Sequence, residues 1–332
     1  MCLEKFLAEY DFILAEAAVI EALKRSGEIE LHPELVNALL IYDDQGRRLI
    51  AGLINQFIGV AKRCEVPIMV TTPTWRANRE RLERVGELRN VNADAVKFIR
   101  ELQAGWGGFA EKVMVGGLMS CKNDCYLPEQ GLSRSEAQVF HAWQSQRLAG
   151  AGVDFLIAQT LPALPEALGL AQALAATEIP YIISFVINRE GLMLDGHSLA
   201  EAIATIDSLV EKVPVGYMVN CAYPSFLKVG QEPEVVVSRL LGFQANASSL
   251  DHDQLDEAES LKADTVADWG QRMVALNREF KIPILGGCCG TGVAHLEYLA
   301  SHLAGIQHQP DETPLLLPTA HCPLLTNPVR PE

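Results

Sequence analysis

Hydrophobic residues along the chain gather in short unbroken runs, separated by longer stretches with a different rhythm. The runs occupy residues 12–16, 66–72, 113–119, 153–158, 181–187, 215–220, 243–247 and 284–287. They are short, rich in Val and Ile, and continuously apolar rather than alternating, which predicts strands buried on both faces. The intervening stretches carry helical spacing: Leu49, Ile50, Leu53, Ile54, Phe57, Ile58 and Ala61 form one stripe of a 3.6-residue period. Ser133 with Glu136 is a capping-box signature that opens a helix running to about Gly150. Asp264 is placed to cap a helix through Trp269, Met273 and Leu276. Alternating strand and helix implies a parallel sheet with right-handed crossovers. Eight strand candidates in one series predict α/β architecture, a single (β/α)8 TIM barrel over residues 1–308. An open doubly wound sheet expects a phosphate-binding glycine loop after its first strand, and Ala17-Ala18-Val19-Ile20 holds no glycine.

Two segments depart from the alternation. Residues 248–263 are polar and acidic, and their place after the seventh strand puts them on the catalytic face, as a solvated loop or a substrate-covering lid. Residues 309–332 carry Pro310, Pro314, Pro318, Pro323, Pro328 and Pro331, so this tail is neither regular helix nor central strand. It is expected to wrap the surface or a neighbouring subunit, which makes a homodimer reasonable.

Composition narrows the function classes. At 49% hydrophobic and 21% charged residues the chain is globular, without the low hydrophobicity that marks disorder. Twenty-seven basic against 42 acidic residues give a net charge of −15, which argues against nucleic acid and anionic membrane as partners. Asp154 and Glu166 interrupt the longest apolar candidate short of the roughly 18–20 residues a spanning helix needs. The start, Met1-Cys2-Leu3-Glu4-Lys5, lacks the order of a secretory signal, and a cytoplasmic location is expected.

Eight cysteines are too sparse for a disulfide scaffold, so each is weighed for its own chemistry. Cys221 follows strand six, and Cys288 and Cys289 follow strand eight, at the end where barrels keep functional side chains. Neighbouring residues of a regular strand point to opposite faces, so both thiols of the pair can turn inward only with added backbone freedom. Gly286-Gly287 and Gly290-Thr291-Gly292 supply it. A helix starting near Thr291 brings its positive dipole end beside the pair and favours thiolate. Three thiolates without a fourth protein ligand suit a catalytic zinc with an open position for a substrate sulfur. Spacing alone also leaves the alternative that Cys221 is buried filler and Cys288-Cys289 a chance pair in a glycine turn.

Pro283-Ile-Leu-Gly-Gly-Cys-Cys-Gly-Thr-Gly292, together with Val219-Asn-Cys-Ala-Tyr-Pro-Ser225, resembles the homocysteine S-methyltransferase family, and the resemblance runs from about Phe12 to about Leu303. It implies a barrel in which Cys221, Cys288 and Cys289 bind Zn2+, and transfer of a methyl group to the thiol of homocysteine. The first-strand position of the family's aspartate-glycine pair is held here by Glu16 and Ala17, and the glutamate ending the family's fourth strand is replaced by Gln159. By resemblance these positions hold the acceptor's amino group. Gln159 keeps an amide oxygen but brings no charge, and a charge-assisted bond is roughly twice as strong as a neutral one.

Methyl transfer to sulfur is an in-line displacement, so a thiolate must be made and a donor aligned opposite its leaving group. A sulfonium donor, S-methylmethionine or S-adenosylmethionine, fits, with Trp75, Tyr126 and Tyr223 as candidate aromatic surroundings. Asn220 either bonds a substrate carboxylate or orients the ligand loop. The alternatives are methylation of another thiol from a donor such as a quaternary amine, and a zinc- and ligand-binding barrel without turnover. Ser120-Cys-Lys-Asn-Asp-Cys-Tyr126 replaces the family's glycine-proline loop, and Cys121 and Cys125 are expected to be reduced, partly buried thiols. His141, His197, His252, His295 and His302 lack ligand spacing and are expected in polar surface roles, and His321 and Cys322 form no zinc pattern.

Overall fold

The computed structural model describes residues 2–250 and 263–305. Its strands are β1 (Ile13–Ala15), β2 (Ile68–Thr71), β3 (Val113–Ser120), β4 (Phe155–Leu161), β5 (Tyr181–Phe185), β6 (Gly216–Ala222), β7 (Leu240–Ala245) and β8 (Ile284–Gly287). They pair in chain order, all parallel, and β8 returns to β1 to close the barrel. Leu14 is the seam, in register with Ile68 on one side and Leu285 on the other. The helices are α1 (Leu3–Glu9), α2 (Ile20–Ser26), α3 (Asp44–Arg63), α4 (Arg79–Arg84), α5 (Val91–Ala104) and α6 (Arg134–Gly150). They continue with α7 (Leu164–Ala175), α8 (Leu199–Leu209), α9 (Glu234–Arg239), α10 (Val266–Phe280) and α11 (Val293–Leu303). No described helix is long and apolar enough to cross a membrane.

The period of two along each strand divides the core. Ile13, Ala15, Met69, Met114, Phe155, Met218 and Ile284 fill the barrel interior, while Leu14, Ile68, Val70 and Val115 pack outward against the helices. Both faces are therefore apolar, which is why the runs read as continuous. Leu3, Phe6 and Leu7 of α1 join the interior cluster and stop its N-terminal end. Burial of three such side chains contributes about 1.5–3 kcal/mol each. With that end filled, the opposite mouth is left for chemistry.

The eight expected strands are all present, with shifted ends. The fourth runs on to Leu161 through polar Gln159 and Thr160, and the seventh starts at Leu240, ahead of the expected 243. The α6 cap is as expected, with the Ser133 N–H donating to the Glu136 carboxylate at 3.1 Å. The cap of α10 is different: Thr265 accepts from the Asp268 N–H at 3.1 Å, while Asp264 turns back to accept from Ser249 N–H at 2.7 Å. Two histidines expected on the surface are buried. His141 meets Glu166, and His295 packs edge-on against Trp269. The central acidic residues 251–262, including His252, and the tail 309–332, with His321 and Cys322, lie outside the described residues.

Candidate metal and acceptor site

The β6 strand brings Cys221 to the mouth by means of a bulge. Asn220 pairs with Gln244 and Ala222 with Ala245, so Cys221 is the extra residue, held at φ +54°. It lies inside the strand rather than after it, correcting the expected position. A bulge re-aims a side chain that regular pleating would send to the other face. The same device recurs in β4, where the register against β5 shifts between Ala158 and Leu161 and Thr160 takes φ +57°.

Cys288 and Cys289 follow β8 directly. Cys288 N–H donates to the Ala245 carbonyl at 2.7 Å and the Cys289 carbonyl accepts from Ala247 N–H at 2.9 Å, so the pair is tied to the end of β7 and the residues just after it. Only Gly290 of the surrounding glycines takes a left-handed φ, +81°. Gly286 and Gly287 serve close approach instead: a Cβ would stand 2.7 Å from Ala15 Cβ at the first and 2.0 Å from Thr291 Oγ1 at the second.

The three sulfurs meet as a group able to hold one metal ion, all within 4.8 Å of one another, with Cys221 Sγ and Cys288 Sγ 2.6 Å apart. Contact with Cys288 and Cys289, followed by burial, pushes the Cys221 thiol well above its ordinary value. Without a cation these thiols resist ionising together. A divalent ion removes that penalty, so the donor set fits a thiolate-loving metal.

The sulfurs open into a cavity of about 880 Å³ at the C-terminal mouth. Glu16, Ala17, Gln159 and Asn220 all line it, as do Trp75, Cys125 and Tyr126. Tyr223 is not among the lining residues, and Arg272 stands 5.9 Å over its ring. Trp75 is anchored by its indole N–H on Thr160 Oγ1 at 3.0 Å and carries the Arg76 guanidinium 4.0 Å from its ring.

Glu16 is buried, its carboxylate accepting from the Thr71 N–H at 3.1 Å and from the Thr71 hydroxyl. Burial outweighs these two bonds and raises its pKa to about 7. Gln159 donates from Nε2 to Gln244 Oε1 at 2.5 Å, and Gln244 Nε2 donates to the Glu16 carbonyl at 3.3 Å. Asn220 is fully buried. Cys121 and Cys125 are both buried, more so than expected, and burial lifts the Cys121 thiol to about 11 and the Cys125 thiol further. Gln244, Thr71, Thr160 and Asn246 escaped the sequence reading. Their one signal is polarity at the C-terminal end of an otherwise apolar strand run.

A family profile described as "Homocysteine S-methyltransferase" matches residues 15–303. Among solved structures, the homocysteine methyltransferase MmuM from Escherichia coli in its metallated form superposes with a TM-score of 0.69. That alignment has 19% identity and covers 90% of this chain and 99% of that one. The oxidized form gives 0.68 at 19% identity, covering 90% and 98%. The apo form gives 0.62 at 18%, covering 90% and 99%. At this identity the likeness is one of fold. No protein of curated function matches the sequence.

Proposed function

Because the chain belongs to the homocysteine S-methyltransferase family, we propose that it is a zinc-dependent enzyme moving a methyl group from a sulfonium donor to homocysteine, giving methionine. S-Methylmethionine and S-adenosylmethionine are the donors of that class. The observation that carries the reading is the meeting of three thiols from β6 and the end of β8 at the only end of the barrel not plugged by α1, among the described residues.

Zinc held by Cys221, Cys288 and Cys289 supplies the Lewis acidity that keeps an acceptor thiol deprotonated near neutral pH, where a free thiol is mostly protonated. The protein's own residues do the rest. Glu16 faces the ammonium of the amino-acid acceptor, with Gln159 contributing a neutral amide where a second carboxylate would be stronger. The acceptor sulfur attacks the donor methyl in line, one S–C bond forms as another breaks, and the donor leaves as a neutral thioether. No general acid is required, because a sulfonium donor leaves as a neutral thioether without taking up a proton. Trp75 and Tyr126, which both line the cavity, are the aromatic surroundings for the donor. The requirement for three reduced thiols suits a cytoplasmic enzyme.

The test is metal content and methyl transfer measured together. Purified without chelator, the protein should carry about one zinc per chain bound by three protein sulfurs. Homocysteine methylation should vanish on chelation and return with zinc. Alanine at Cys221, Cys288 or Cys289 should remove metal and activity while leaving the fold. Zinc retained in all three variants, or turnover indifferent to chelation, would overturn the reading.

A further inference from the structure

Two non-glycine residues at the barrel mouth are held in the left-handed region, Thr160 at φ +57° and Cys221 at φ +54°. Such a conformation is strained for a residue that carries a Cβ and persists only where neighbours fix it. One side chain bonds to both residues. Asn220 Oδ1 accepts from the Thr160 N–H at 2.9 Å and from the Ser184 hydroxyl at 2.7 Å, and Asn220 Nδ2 donates to Cys221 Sγ at 3.2 Å. We propose that Asn220 is a positioning residue for methyl transfer, its amide oxygen setting the Gln159–Thr160 peptide of the acceptor wall and its amide N–H setting the metal-ligating sulfur of Cys221. The proposal rests on the metal reading above.

Both lone pairs of the Asn220 oxygen are taken by β4 and β5, which fixes which way its NH2 group points. That direction is toward the sulfur. A sulfur receiving an N–H bond is held in orientation and carries less free charge, as outer partners commonly tune metal ligands. The other half of the amide acts at a distance from the metal. The Gln159–Thr160 peptide carries the cavity-lining Gln159 side chain on one side and, through Thr160 Oγ1, the Trp75 indole on the other. A change at Asn220 therefore moves the acceptor wall and the ligand set together.

The test loads cadmium-113 into wild-type protein labelled with nitrogen-15 asparagine and reads the side-chain NH2 protons for splitting by the metal. One asparagine side chain should show splitting transmitted through its N–H···S bond, and that signal should be missing in Asn220→Ala and kept in Ser184→Ala. Asn220→Ala should also bind metal about 10–100-fold more weakly, and its Thr160 amide proton should exchange with solvent at least tenfold faster. Cadmium bound by the three thiols with no split asparagine proton would overturn the proposal and leave the metal reading intact. Failure of cadmium to bind those thiols would overturn both. The wild-type splitting decides the matter even if Asn220→Ala does not fold.

Discussion

Gln159 Nε2 lies 2.5 Å from Gln244 Oε1, an amide-to-amide hydrogen bond that spans the barrel mouth from β4 to β7. The bond occupies the side chain that stands where the family resemblance places a carboxylate. Gln159→Glu removes the donor and adds a charge. Gln244 can answer by turning its amide and donating Nε2 to the new carboxylate, giving up its longer 3.3 Å bond to the Glu16 carbonyl. The second charge then faces the acceptor ammonium. Homocysteine should bind tighter by about 1 kcal/mol, near the lower range for hydrogen bonds to charged groups. 4-Mercaptobutanoate, which lacks the ammonium, should bind more weakly because the new carboxylate is left without a countercharge. Calorimetric affinities for both thiols check this; unchanged values for both would place Gln159 off the acceptor.

The barrel was legible in the chain because burial on both strand faces leaves continuous apolar runs, such as 284–287, which coincides with β8. Cys288 and Cys289 were legible as candidates because they stand among glycines at a strand end, while Cys221 joined them through its place at the end of the sixth run and the family resemblance. The bulges were not. Nothing in Asn220-Cys221-Ala222 or Gln159-Thr160-Leu161 announces an extra residue, because a bulge is set by register against the neighbouring strand. For the same reason Gln244 could not be paired with Gln159, since their bond depends on two strands three positions apart around the barrel. His141 failed as a surface residue because its partner, Glu166, is 25 residues away and pulls it inward.

Glu16 gives a pH dependence with a definite sign. Burial raises its pKa from 4.5 to about 7 in the folded protein. Only the ionised form attracts an ammonium, so methionine, the product without a titrating thiol, should bind progressively tighter as pH rises from 6 to 8. Glu16→Gln should flatten that profile. Stability runs the other way. A carboxyl whose folded pKa is raised stabilises the fold fully below pH 4.5 and loses that contribution as pH rises through about 7. The loss approaches about 3 kcal/mol. Ligand-free wild type should therefore melt lower at pH 8 than at pH 6 by more than Glu16→Gln does. Parallel profiles in the two proteins would remove Glu16 from both effects.

Cys121 and Cys125 should behave as packing thiols. Burial holds both in the protonated form at neutral pH, and the thiolate is the reactive species. Alkylation of metal-free protein should modify exposed Cys289 first and these two last. Cys121→Ala and Cys125→Ala should each cost about 1 kcal/mol of stability, as small core truncations do, and keep the full metal complement. Loss of metal in either variant would bring the β3–α6 loop into the ligand set.

Glu166 holds that loop in place, although it sits on α7 and outside the cavity. Its carboxylate accepts from Lys122 N–H at 2.7 Å, from Leu132 N–H at 3.1 Å and meets His141 Nε2 at 3.0 Å, and both side chains are 1% exposed. Burial alone would raise its pKa, but the His141 bond and charge with the two backbone N–H groups bring it below the ordinary value. A depressed carboxylate stabilises the fold above pH 4.5, its ordinary value, and that stability is lost as pH falls through the lower folded value. Glu166→Ala strands one buried and two half-buried donors and should cost about 3 kcal/mol. Because residues 123–131 hang between the two backbone anchors and carry Cys125 and Tyr126 into the cavity, the damage should reach the site. The three thiols proposed as ligands lie on β6 and just after β8, which Glu166 does not touch, so zinc should stay bound. Donor KM should rise severalfold while zinc content remains at wild-type level, and the acid limb of the stability profile should flatten. Equal loss of zinc and of donor binding would mean that Glu166 supports the whole mouth rather than this loop.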